Sequence, residues 1–97
     1  MHASLVTARV RPGALDDAAR HWRETILPDT LGLPGNHGST LLLDRATGTI
    51  RIVTLYATAA DAAAAPADPG HQAAVAGFVA LLAEPFTREL YEVGGRG

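Results

Sequence analysis

The chain has 97 residues, of which 47% are hydrophobic and 19% charged, a composition that supports one core of modest size and excludes disorder over most of its length. A formal charge of −2 with scattered arginines leaves no basic patch for nucleic acid or an anionic membrane. The lack of cysteine removes disulfides, thiolate catalysis and cysteine-ligated metals; no apolar run reaches the ~20 residues of a membrane span, and Met1-His2-Ala3-Ser4 has no signal pattern. A single cytoplasmic domain over residues 1–97 is expected.

Ala3 to Arg11 alternates, with Val6, Ala8 and Val10 on one side and Leu5, Thr7, Arg9 and Arg11 on the other, and reads as a strand that Pro12-Gly13 ends. Leu15, Ala18, Ala19, Trp22 and Ile26 then fall at helical spacing, with Asp16 and Asp17 in the first turn, where the helix dipole favours negative charge. Pro28 is expected to end or kink this helix, because an interior proline loses a hydrogen bond and crowds the preceding turn. Leu31 to Asn36 reads as a loop.

Two β-rich runs follow, Pro34 to Leu43 and Thr49 to Tyr56, and the polar loop Asp44 to Gly48 joins them into an antiparallel hairpin. Leu41 and Leu43 point one way and Leu42 the other, while Ile50 and Ile52 oppose Val53 and Leu55, so both faces of the hairpin are apolar. Helices from so short a chain cover one face only. A second copy of the chain is expected to cover the other, giving a homodimer.

The alanine-rich stretch Ala57 to Ala67 reads either as a short helix or as a mobile connector. Asp68-Pro69 is a clearer signal, since Asp caps helices well and Pro is preferred at the first helical position. Val75, Phe78, Val79 and Leu82 form the apolar stripe of this second helix, which Pro85 stops after Glu84. Arg88 to Val93 is the fourth strand, and Gly94 to Gly97 a tail expected to fray. The order β-α-β-β-α-β is the α+β, ferredoxin-like arrangement, with both helices on one face of an antiparallel sheet.

His71 is the main candidate for chemistry. It precedes Val75 by one turn on the sheet-facing stripe, and near a helix N-terminus its cationic form is disfavoured, so a neutral imidazole there could act as a general base. The alternative is a histidine that closes the end of the core. Trp22 and Tyr56 could stack on a planar ligand and hydrogen-bond it, or serve as ordinary core. Ile52 and Phe78 are expected in the pocket wall, and His37 either at its mouth or in water. His2, His21, His37 and His71 show no ligand spacing, so no metal site is expected.

The strand, Pro12-Gly13, a helix with Trp22 and Leu27-Pro28, then Pro34-Gly35-x-x-Gly38-x-x-Leu41, the hairpin, the aromatic Tyr56 and Asp68-Pro69-Gly70-His71 together resemble the antibiotic biosynthesis monooxygenase family of dimeric α/β barrels. The resemblance covers nearly the whole chain. It implies a homodimer holding a small aromatic or polyketide-like molecule, and a cofactor-independent monooxygenase that uses neither flavin nor metal. Polyketide-type oxygenases of that family carry Asn and Trp where this chain has Ile52 and Tyr56, and a frequent early-helix His falls near Ala65. Haem-degrading relatives use a first-strand Asn where this chain offers Ser4 and Thr7. A non-catalytic binding module and a cyclase or isomerase are the alternatives.

Overall fold

A computed structural model describes all 97 residues. Strands β1 (His2–Arg9), β2 (Asn36–Asp44), β3 (Thr49–Tyr56) and β4 (Thr87–Glu92) form one antiparallel sheet in the order β2-β3-β1-β4, the ferredoxin-like order. Directly paired residues share a face, so the register sets rows across the sheet. Ala8 lies beside Ile50, Val6 between Ile52 and Arg88, and Ser4 between Thr54 and Leu90. Leu43 and Leu41 extend the first two rows onto β2.

All helices pack on the face carrying these rows. Ala18, Trp22, Ile26, Ala74, Phe78 and Leu82 close over Ala8, Val10, Ile50 and Ile52, while Leu33, Ala62 and Ala65 close over Tyr56. The opposite face carries Leu5, Val53, Leu55, Leu42 and Tyr91, and no helix of the chain covers it. Leu42 and Tyr91 are each about half exposed.

The first helix does not stop at Pro28. An α-helix, α1 (Leu15–His21), passes into a π-helical turn, Trp22–Ile26, and continues as α2 (Leu27–Leu31). The Leu27 amide donates to the Trp22 carbonyl five residues back, and widening the turn by one residue relieves the crowding that a proline ring imposes. The expected loop therefore shortens to the four residues between α2 and β2.

The alanine-rich stretch is ordered as α3 (Ala59–Ala64) and a 3₁₀ turn, Ala65–Ala67. The Thr58 hydroxyl caps it by accepting the Asp61 amide at 3.1 Å, and Ala62 and Ala65 are buried. Helix α4 (Pro69–Val79) begins where Asp68-Pro69 predicts, the Asp68 carboxylate accepting the His71 amide at 2.9 Å. It ends before Glu84. The Leu81 and Leu82 amides reach back only three residues, to the Phe78 and Val79 carbonyls, and this tightened turn lets Leu82 bridge to Val10 of the first strand's extension.

Close packing of α4 on the first helix depends on Gly77. The His21 Nε2–H donates to the Ala74 carbonyl at 2.9 Å, and a Cβ on Gly77 would lie 2.6 Å from the His21 ring. No helix is long and apolar enough to cross a membrane.

Ile50 is the largest side chain buried without remainder, under Trp22 and Phe78 in the main cluster. Truncation by Ile50→Ala should cost roughly 2–5 kcal/mol, through lost transfer energy and the cavity left behind. Urea denaturation of the variant checks this; a loss under about 1 kcal/mol would mean that the core lies elsewhere.

Candidate functional site

Between the sheet and the helices lies a cavity of about 440 Å³. Trp22 and Ile26 of the π turn, Val6 and Ile52 of the sheet, Phe78 of α4 and Phe86 belong to a lining that is mostly apolar. A smaller part of it is polar. Ser4, Thr30, Thr54, Tyr56, His71 and Arg88 all reach this space. His71 and Phe78 are seven residues apart on one helix, so α4 runs roughly 10 Å between them along the cavity.

The polar floor follows from the strand register. Ser39, Thr54 and Ser4 stand in one row across β2, β3 and β1, and the Ser39 and Thr54 hydroxyls hydrogen-bond at 2.8 Å. Tyr56 stands two residues beyond Thr54 on the same face. Burial pushes the Tyr56 phenol above its usual pKa, while Arg88 and the Ser4 hydroxyl beside it pull the other way. Arg88 is anchored as well as charged, since its Nη2–H donates to the Ala62 carbonyl at 2.7 Å and ties β4 to α3.

His71 is held twice. Its amide is taken by Asp68, and its ring Nδ1–H donates to the Asp29 Oδ2 at 3.1 Å. Asp29 comes from α2, the segment that exists because the first helix continues through Pro28. The ring's Nε2 has no partner in the chain and is not sealed off. An imidazole with one nitrogen on a carboxylate and the other free in a cavity can accept a proton, and an arginine beside a phenol can hold an oxyanion.

Of the residues expected from sequence, Trp22, Ile52, Tyr56, His71 and Phe78 line the cavity together, and His37 does not. His37 is exposed because a β-bulge between Asn36 and Ser39 turns the strand there; the Asn36 Oδ1 accepts the Gly38 amide at 2.9 Å and Gly38 takes φ +113°. Sequence reasoning missed Asp29, Arg88 and the hydroxyl row. Strand parity could have placed Thr54 beside Tyr56, but Asp29 and Arg88 carry no local signal. No group of three or more His, Asp or Glu side chains is placed to hold a metal ion.

No protein-family model and no curated protein matches the sequence. Solved structures do match over nearly the whole chain. A Bordetella bronchiseptica protein assigned provisionally as an antibiotic biosynthesis monooxygenase superposes with a TM-score of 0.85 at 16% identity, covering 95% of both chains. A Nitrosomonas europaea protein of the same provisional assignment gives 0.82 at 20% identity, over 98% of this chain and 100% of that one. A second Nitrosomonas europaea protein, of unknown function, gives 0.80 at 21% identity, over 99% and 91%. The chain therefore has the antibiotic biosynthesis monooxygenase fold.

The raised Tyr56 pKa has a measurable consequence. The folded chain keeps the phenol proton where the unfolded chain, titrating near 10, has lost it, so stability should fall as pH rises above about 10 and through the folded value. Tyr91, the other tyrosine, is also raised, by its hydrogen bond to Glu89. Denaturation on either side of about pH 10 should show a smaller alkaline loss in Tyr56→Phe than in wild type, with Tyr91→Phe as the exposed comparison. An unchanged loss in Tyr56→Phe would mean that the phenol is not held neutral by its surroundings.

Proposed function

We propose that the protein is a cytoplasmic homodimer and a cofactor-independent monooxygenase acting on a planar aromatic or polyketide-like molecule. The observation that carries this reading is that His71, Tyr56 and Arg88 all line one mainly apolar cavity. Trp22, Ile52 and Phe78 would hold the ring system, leaving its oxygen-bearing edge beside His71, Tyr56 and Arg88. His71 Nε2 would take a proton from the bound phenol or anthrone, and Arg88 with the Tyr56 hydroxyl would stabilise the resulting oxyanion. The electron-rich anion reduces dioxygen, so that a ring CH₂ and O₂ become a ring carbonyl and water. The enclosure protects the intermediate from solvent. The fold shared with provisionally assigned monooxygenases supports the reading.

A base facing an oxyanion site needs no oxygen to move a proton next to a carbonyl, which is the observation favouring a cyclase or isomerase as the second reading. Oxygen uptake with a panel of anthrones and hydroquinones separates the two. Consumption with one water formed per oxygen supports the oxygenase, anaerobic turnover the isomerase or cyclase, and saturable binding without either a non-catalytic module. In an active enzyme, His71→Gln should lower the rate by about 10²–10⁴-fold with little change in ligand affinity. A variant within a few-fold of wild type would remove His71 as the base.

The homodimer rests on the uncovered sheet face, whose Leu5, Val53 and Leu55 stand in two adjoining rows. Sedimentation should give a dimer at micromolar concentration, and Val53→Asp should shift it to monomer by placing a charge inside the interface. A wild-type monomer would contradict this.

A further inference from the structure

We propose that Asp29 is a positioning residue for His71, holding the neutral imidazole with its proton on Nδ1 and its lone pair on Nε2. The proposal rests on reading His71 as the proton acceptor of the cavity. A carboxylate accepts hydrogen bonds and does not donate them, so the 3.1 Å contact between Nδ1 and the Asp29 Oδ2 requires the proton on Nδ1. In the neutral ring Nε2 then carries the lone pair, and that nitrogen has no partner in the chain while His71 lines the cavity.

The pair is built into the fold rather than laid on its surface. The side chains of His71 and Asp29 are 18% and 28% exposed, so the contact is only partly screened by water. Asp29 arrives from α2 and His71 from the first turn of α4, elements 42 residues apart in the chain. Gly70 leaves the space for this approach, since a Cβ there would lie 3.3 Å from both the Asp29 and the Asp68 Oδ1. Asp68 fixes the His71 backbone and Asp29 its ring, which leaves the imidazole little freedom to turn. The charged and titratable groups around it are these two carboxylates from the helix side, and Tyr56 and Arg88 from the sheet side of the same cavity.

A contact that merely tied α2 to α4 would leave the tautomer unspecified, and this separates the two roles. Nitrogen-15 NMR of the imidazole of wild-type protein should show neutral His71 protonated at Nδ1. Asp29→Leu removes the acceptor while keeping an apolar side chain of similar size, and its His71 should shift toward the tautomer protonated at Nε2. With a substrate in hand, kcat should fall by roughly 10²-fold at near-constant KM, the order that misplacing a catalytic group costs. Wild-type His71 protonated at Nε2 would overturn the proposal, as would a tautomer or rate that Asp29→Leu leaves unchanged. The wild-type spectrum decides the matter if the variant does not fold. Should His71→Gln prove active, the base reading fails while the tautomer still reports on Asp29.

Discussion

The covered side of the molecule depends on one hydrogen bond, from the Leu27 amide to the Trp22 carbonyl. That five-residue reach makes a π turn, the turn lets the helix pass Pro28, and the extra helical segment delivers Asp29 to His71 and Thr30 to the cavity. A wider turn also brings residues four apart closer into line. Trp22, Ile26 and Thr30 are all buried and all line the same space. A helix that ended at Pro28 would have supplied the apolar wall without the carboxylate.

The cavity stays open because its cover is narrow in one place and thick in another. Ala18, Ala19, Ala74 and Gly77 let the first helix and α4 approach closely, while Phe78 and Leu82 fill the gap to Ile50 and Ala8. At the other end of α4 the sheet-facing side chains are His71, Val75 and Ala76, which leave the row above Ser4 and Thr54 unfilled. Buried hydroxyls demand partners. Ser39 and Thr54 satisfy each other, so Ser4, Thr30 and Tyr56 are the hydroxyls left to meet a ligand.

The fold was legible where the signal was local. Alternation in β1 and β3 sorted their residues onto the two faces as observed, Asp68-Pro69 marked the start of α4, and Gly48 at φ +69° closes the hairpin that the turn residues predicted. The site was legible where periodicity pointed inward, as for Trp22, His71 and Phe78. Of the two outcomes expected at Pro28, an end or a kink, the chain takes an irregular continuation through a π turn, and nothing in the sequence signalled that this would carry Asp29 to His71. Arg88 was hidden for another reason. It is the second residue of a short edge strand whose remaining residues are all exposed, so no alternation revealed which face it takes, and only pairing with Val6 places it in the cavity. His37 takes the second of its two expected places, because a bulge sends it to solvent.

The proposed function requires the cavity to orient a flat, oxygen-bearing molecule between its apolar wall and its polar groups. The most direct measurement is the bound pose of a simple naphthol, from NMR contacts between its ring protons and the side chains. Binding should be saturable, with the unsubstituted ring against Trp22 and Phe78 and the hydroxyl-bearing edge beside Tyr56, Arg88 and His71. The inverted pose, or binding on the uncovered sheet face instead, would contradict it.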